Sequence, residues 1–299
     1  MSFLRTSSSS GPRSATVAGI YEADTGSIQY VVSDPETRKA ALIDVVQNFD
    51  PASASTKTAN IDCVLAYVDS ERLDVEWVLD THPHADHLMA SSLLKQRLGV
   101  PNGIGEKVGE IAGLWRTLYH LPEAFDVARD FDRLFANGDT FQIGSLPVRV
   151  MLTPGHTLGS ITYVVGDDAA FVHDTFMQPD AGTSRADFPG GSAGVLYDSL
   201  QSILELPEHT RLFVGHDYGT DERDEPAWES TVADQRDNNK HIGGGVSKAD
   251  FIEVRETRDA TLSLPDRMLH VLQINLRAGR LPEPESDGFR YLKIPLNRF

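Results

Sequence analysis

The sequence predicts an α/β fold, a sandwich of sheets with helices on the outside. Three observations carry this. A buried strand pattern, Val75 to Leu79, runs through a histidine-rich loop into a helical pattern, Leu88 to Leu98. Two strand-rich blocks are each followed by helical periodicity, which suggests two β-α halves. The 299 residues are 40% hydrophobic, enough for a sizeable core and too apolar for global disorder.

The elements follow in order. Residues 1–13 carry Arg5 and Arg13, no acid and the run Ser7 to Ser10. They lack the apolar centre of a secretory signal and are expected to form a flexible tail. Ala15 to Tyr21, Ser27 to Ser33 and Lys39 to Val46 read as three antiparallel strands, separated by Asp24-Thr25-Gly26 and Asp34-Pro35-Glu36. Ser53 to Arg72 is expected to be helical because Ile61, Val64, Leu65 and Val68 share one face, and Val108 to Leu121 because Ile111, Leu114, Trp115 and Leu118 do. Asn137-Gly138-Asp139 opens a hairpin-like region, and Leu146 to Leu152, Ser160 to Val165 and Ala169 to His173 read as successive strands. Gly194 to Leu206 reads as a helix and Arg211 to Val214 as a short buried strand. Beyond Pro226 the chain predicts helices over Ala227 to Lys240, Lys248 to Thr261 and Asp266 to Ala278.

Charge and composition exclude several classes. The net charge of −17 repels phosphate backbones, so no nucleic-acid partner is expected. No run approaches the ~20 apolar residues of a membrane span. The one cysteine, Cys63, permits no internal disulfide and is expected to be a buried core thiol.

Chemistry concentrates in Thr81-His82-Pro83-His84-Ala85-Asp86-His87, with three imidazoles and one carboxylate within six residues. The loop sits at the carboxyl end of a strand, where open α/β sheets place their sites. Imidazole and carboxylate are ligands that Zn, Fe and Mn accept. Three further segments also end a predicted strand with a potential ligand: His156 after Pro154-Gly155, Asp174, and His216 after Gly215. If those strands run the same way, five histidines and two aspartates converge on one edge, enough for two metals with open positions. His173 neighbours Asp174, but strand alternation predicts that it points to the opposite face. His120, His209, His241 and His270 read as ordinary histidines.

His82-x-His84-x-Asp86-His87, then His156, Asp174 and His216 in that order, resembles the metallo-β-lactamase superfamily over about residues 15 to 220. The resemblance implies the αββα sandwich. On that basis residues 14–225 are expected to form the catalytic domain, with 226–299 a helical extension packed on it. Asp180 to Gly191, Leu212 to Tyr218 and Gln273 to Pro282 narrow the likeness to the persulfide dioxygenases, a branch close to glyoxalase II. That family oxidises glutathione persulfide with O2 to sulfite and glutathione, using one Fe(II) per chain. Its ligands carry over to His82, His156 and Asp174, which also form the facial set of non-haem Fe(II) oxygenases. His84, Asp86, His87 and His216 would then orient ligands and waters. Arg185 is a candidate two-pronged clamp for a glutathione carboxylate, against a competing ion pair with Asp187 or Asp180. Tyr197 and Tyr218 are candidate hydrogen-bonding partners of the tripeptide.

The rival reading is a glyoxalase II-type thioester hydrolase with a zinc or mixed dinuclear centre. It would use His82, His84 and His156 on one metal, Asp86, His87 and His216 on the other, and Asp174 as a bridge. A lactonase or β-lactamase fits less well. A non-catalytic metal-dependent sensor would be marked by a lost ligand, and none is lost. The resemblance, with no recognisable secretory signal, implies a bacterial cytoplasmic protein. Trp228 and the C-terminal helices are candidates for a homodimer face.

Overall fold

The computed structural model describes residues 3–221 and 223–299. Met1, Ser2 and Glu222 lie outside the described residues, and with them the first two positions of the expected tail. The first half comprises β1 (Phe3–Ser7), β2 (Thr16–Glu22), β3 (Ser27–Ser33), β4 (Lys39–Ile43), β5 (Val46–Asp50), β6 (Ser55–Lys57), α1 (Ala59–Ser70), β7 (Asp74–Leu79), β8 (Leu88–Met89), α2 (Ser91–Leu98), β9 (Asn102–Gly105), α3 (Val108–Tyr119), α4 (Val127–Asp130) and β10 (Arg133–Phe135). The second half comprises β11 (Thr140–Ile143), β12 (Leu146–Leu152), β13 (Ile161–Val165), β14 (Ala169–His173), α5 (Ala193–Leu204), β15 (Arg211–Val214), β16 (Glu229–Thr231), α6 (Val232–Asn238), α7 (Lys248–Asp259) and α8 (Met268–Asn275).

Two sheets face each other, ordered β1-β2-β3-β4-β7-β9-β10 and β11-β12-β13-β14-β15-β16; β6-β5-β8 form a small third sheet. Period-2 alternation builds the layers. Ile28, Tyr30, Val32, Ala41 and Ile43 point into the sandwich against Val148, Tyr163, Phe171 and Phe213. Val31, Ala40 and Leu42 point the other way, onto Ile61, Val64 and Val68 of α1 and Leu94 of α2. On the far side Leu196, Leu200 and Ile203 of α5 join the second sheet's core. This is the αββα arrangement. β7 runs parallel to β4, and β15 parallel to β14, so the strands that end in site residues deliver them to one edge.

Several expectations need correction. Residues 3–7, placed in a flexible tail, form edge strand β1 paired with β2, and the Arg5 guanidinium lies 4.8 Å over Phe3. Trp228, offered for a dimer face, is buried; its ring meets Phe3 edge-on, and it fills the space over Gly19 where a side chain would clash. Cys63 is only half-buried. The helix over Ser53 to Arg72 starts at Ala59, because the residues before it pair with β5 as β6. Leu88 and Met89 likewise pair with β5 before α2 begins, and Glu229 to Thr231 add β16 to the second sheet before α6. Pairing with a neighbouring strand, adjacent in sequence for β6 and distant for β8, outweighs local helix propensity in each case. Among the described residues no helix is long and apolar enough to cross a membrane.

Asp34, in the β3–β4 turn, ties the two sheets together. Its carboxylate accepts from Ser145 N (2.7 Å), Ser145 Oγ (2.8 Å), Thr37 Oγ1 (2.7 Å) and Glu36 N (2.9 Å). Burial alone would raise its pKa, but these donors, the Ser145 amide first, lower it from 3.8 to about 2. A depressed carboxyl contributes stability that is present above 3.8 and is lost as pH falls toward about 2. At ~1.4 kcal/mol per unit, Asp34→Ala is expected to cost about 2 kcal/mol at neutral pH. Urea unfolding checks this, and equal wild-type and variant midpoints at neutral pH would refute it.

Candidate metal centre

The loop after β7 is held from behind before it presents any ligand. Asp44, at the end of β4, sits in the left-handed region at φ 52° and is buried. Its carboxylate accepts from Thr81 N and Thr81 Oγ1, both at 2.8 Å, and from His84 Nε2 at 3.0 Å. The Thr81 hydroxyl spends its proton on Asp44, so it accepts from His82 Nδ1–H at 3.0 Å. Both imidazoles are thereby oriented: His82 turns its Nε2 inward and His84 its Nδ1, and both atoms are buried without a hydrogen-bond partner. Asn275 of α8 donates to the carbonyls of His84 (2.7 Å) and His87 (2.8 Å), locking the same loop from the C-terminal side.

The second half supplies the facing groups. His156 occupies the β12–β13 turn, where Gly155 at φ 131° leaves no room for a Cβ against the Leu196 backbone, 2.3 Å away. Its Nδ1–H donates to the Arg185 carbonyl at 2.8 Å, which leaves Nε2 free to face inward. Asp174 follows β14. A Cβ on Gly215 would lie 2.6 Å from Asp174 Oδ1, so only glycine admits the carboxylate beside the end of β15.

His82 Nε2 and His156 Nε2 lie 3.7 and 3.6 Å from Asp174 Oδ2. Asp174 Oδ1 is taken by His216 Nδ1 at 2.5 Å, and His216 Nε2 lies 2.7 Å from Asp86 Oδ2. His87 Nδ1 reaches Asp86 Oδ2 at 3.1 Å, and the Ser27 hydroxyl stands 3.0 Å from both His87 Nδ1 and His216 Nε2. Burial holds His82 well below the usual histidine range, helped by His84, His173 and His156. Burial would raise Asp174, but the charge and hydrogen bond of His216 hold it well below the carboxylate range. His216 is pushed the other way: burial opposes its charge, yet Asp174 and Asp86 raise it well above 6.5.

The residues fit a metal. His82, His156 and Asp174 offer ligand atoms that all lie within 4.8 Å of one another; so do His84, Asp86 and His87, and Asp86, Asp174 and His216. Buried imidazole nitrogens without partners are costly unless something accepts their lone pairs, and His82 Nε2, His84 Nδ1 and His87 Nε2 are three such atoms.

Of the residues predicted from sequence, His82, His84, Asp86, His87, His156, Asp174 and His216 are brought together. Arg185 closes its fork on Asp187 instead, with Nε and Nη2 at 2.6 and 2.7 Å from the two carboxylate oxygens and Nη1 on the Ser263 carbonyl. The Tyr197 hydroxyl donates to the Val246 carbonyl at 3.0 Å and its ring packs on Phe251, so it joins α5 to the C-terminal helices. Tyr218 is 67% exposed and stacks on His216 at 5.5 Å. His173, expected on the opposite face, lies 5.0 Å from the His82 ring. A register shift beside it in β14 and its φ of 41° break the alternation. Sequence reasoning passed over Asp44, Thr81, Ser27 and Asn275. Asp44, a carboxylate inside the otherwise apolar predicted strand Lys39 to Val46, was the signal that could have flagged one of them.

The fold and this edge define the class: an αββα sandwich whose paired strand ends carry a histidine-aspartate cluster. A family model of the metallo-beta-lactamase superfamily matches residues 32–216, and the chain belongs to that superfamily. It is 54% identical over 281 residues to a "Beta-lactamase hydrolase-like protein" of Xylella fastidiosa, covering 94% of this chain; the chain spans 64% of that relative's length. It is 28% identical to the mitochondrial "Persulfide dioxygenase ETHE1" of Bos taurus, over 87% of each chain. The crystal structure of ETHE1 from Myxococcus xanthus superposes with a TM-score of 0.69 at 28% identity, over 88% of this chain and 98% of that one.

Proposed function

We propose that the chain is a persulfide dioxygenase: glutathione persulfide, O2 and water give glutathione and sulfite at one Fe(II) held by His82, His156 and Asp174. The observation that carries this reading is the asymmetry between the two ligand sets. Both ring nitrogens of His216 are engaged by carboxylates, Asp174 and Asp86, and Asp86 also receives His87. His82 Nε2 and His156 Nε2 instead face Asp174 Oδ2 across gaps of 3.7 and 3.6 Å. The likeness to the bovine and M. xanthus ETHE1 proteins supports the same choice.

Bound iron supplies the O2 chemistry, and a facial set of three protein ligands leaves positions open for the reactants. The residues of the chain prepare that site. Asp44 and Thr81 orient His82, the Arg185 carbonyl orients His156, and His216 fixes which Asp174 oxygen faces inward. The Phe188 ring, edge-on to His156 at 5.3 Å, gives one wall an apolar surface. Tyr218, exposed and stacked on His216, is placed to receive the tripeptide. The Arg185 fork would contact a carboxylate only by exchanging Asp187. Accordingly Tyr218→Ala is expected to raise KM about fivefold, the value of one ordinary hydrogen bond or stack, with kcat nearly unchanged. Steady-state kinetics decide it, and an unaltered KM removes Tyr218 from the substrate site.

A dinuclear thioester hydrolase is the second reading. It is favoured by the buried, unpartnered nitrogens of His84 and His87 and by the hydrolase-like name of the Xylella relative. Metal analysis of anaerobically purified protein with O2 uptake on glutathione persulfide separates the two. About one iron per chain with sulfite formation supports the dioxygenase. Two metals, no O2 uptake and hydrolysis of S-lactoylglutathione support the hydrolase.

A further inference from the structure

We infer that the buried Arg255–Asp259 pair on α7 is a positioning device for the metal centre, acting through the backbone of residues 183–186 on His156 and Asp174. The inference rests on the reading of His82, His156 and Asp174 as metal ligands. Arg255 and Asp259 are 2% and 5% exposed and sit one helical turn apart. Arg255 Nε and Nη2 donate to Asp259 Oδ1 at 3.0 and 2.6 Å. Each member then makes one bond out of the helix. Arg255 Nη1 donates to the Thr183 carbonyl at 2.9 Å, and Asp259 Oδ2 accepts from Ala186 N at 2.9 Å.

Those two peptide groups bracket the dipeptide that touches the centre. The Ser184 hydroxyl donates to the Asp174 carbonyl, and the Arg185 carbonyl accepts from His156 Nδ1–H. The pair therefore grips both sides of the short segment that fixes the His156 tautomer. His241 holds the same segment from the other flank, its Nδ1 accepting from Thr183 N at 3.0 Å. A buried ion pair is a costly way to build mere stability, since apolar residues of similar volume often do as well. Its charge-assisted bonds to two specific peptide groups are what an apolar replacement cannot reproduce.

The test replaces the pair with apolar residues, R255M/D259L, in the metal-free full chain. Imidazole ¹H–¹⁵N spectra, with the His156 signals assigned from their absence in His156→Ala, read the tautomer directly. Cobalt(II) titration against a competing chelator reads the affinity, and the visible cobalt spectrum reads the ligand geometry. In the wild-type chain His156 is expected as the Nδ1–H tautomer. In the double variant the spectrum is expected to show mixed tautomers, about tenfold weaker cobalt binding and an altered visible spectrum. Where the double variant does not fold, Asp259→Asn is measured instead, with the same changes expected in smaller degree. A folded variant with the wild-type tautomer, affinity and cobalt spectrum overturns the inference while leaving the metal centre intact. A wild-type chain that binds no cobalt overturns the metal centre, and the inference with it.

Discussion

Asp174→Ala is expected to purify without iron and to turn over glutathione persulfide at least about a thousandfold more slowly, because a bound metal supplies several kcal/mol to the reaction. The reason is geometric. Asp174 Oδ2 is the one carboxylate oxygen shared by the inward nitrogens of His82 and His156, and Oδ1 anchors His216. Alanine removes an anionic ligand and leaves two neutral imidazoles, which cannot form a facial set. The wild-type centre is also expected to resist mild acid. Burial lowers the pKa of His82 and His156 from 6.5, so protons compete weakly for their nitrogens as pH falls through that value. The folded protein should then keep its metal across the ordinary histidine range and lose it only at lower pH. Metal analysis of the dialysed variant checks the first claim, and full metal content with full rate would sink the ligand assignment. Metal analysis of wild-type protein across pH checks the second, where a sharp loss centred at 6.5 would show that these imidazoles titrate normally.

Asp44→Ala should produce the second large effect, on stability and metal affinity together. The substitution strips the acceptor from three buried donors: Thr81 N, the Thr81 hydroxyl and His84 Nε2–H. Leaving a buried donor without its acceptor costs about 1–3 kcal/mol each. Part of that is returned. Burial, helped by the Asp44 charge, raises the Asp80 carboxyl to about 7, so removing Asp44 relieves a repulsion. The net cost is expected near 3 kcal/mol, about one unsatisfied-donor penalty per group lost less the relieved repulsion. With Asp44 gone, the Thr81 hydroxyl can turn its proton toward His82 Nδ1, which frees the imidazole to flip. Metal affinity should therefore fall about 10- to 100-fold, as it does when groups that orient ligands are lost. Denaturant unfolding of the metal-free chain measures the first effect and chelator competition the second. Wild-type affinity in a destabilised variant would leave Asp44 a folding residue with no part in ligand orientation.

What could be read from the chain alone divides cleanly by range. The candidate ligands were legible because the donors are packed into six residues, His82 to His87, or stand at strand ends marked by Pro154-Gly155 and Gly215. The two sheets were legible wherever apolar, β-branched runs are bounded by turn residues, as in β2, β3, β12 and β13. The short strands β5, β6, β8, β9, β10 and β16 were not, since at two to five residues each exists only because a partner strand completes its ladder. The same limit hid Trp228, which packs on Phe3 and over Gly19, residues from the far end of the chain. It also hid the choice Arg185 makes, because Asp187 and a substrate carboxylate offer the same fork the same two oxygens.

The sequence by itself thus determined the fold class, the edge on which strand ends converge and the seven histidine and aspartate side chains brought together there, all of which follow from residue type and local spacing. Tertiary structure decided how those side chains are aimed. Asp44 lies 38 residues before His82, Asn275 lies 191 residues after His84, and Arg255 lies 72 residues after Thr183. A bulge, not alternation, brings His173 beside His82. Hydrogen bonds from such distant residues fix which imidazole nitrogen faces inward and which carboxylate oxygen is left to meet it. Spacing specifies the donors, but only the closed sandwich brings together the groups that orient them.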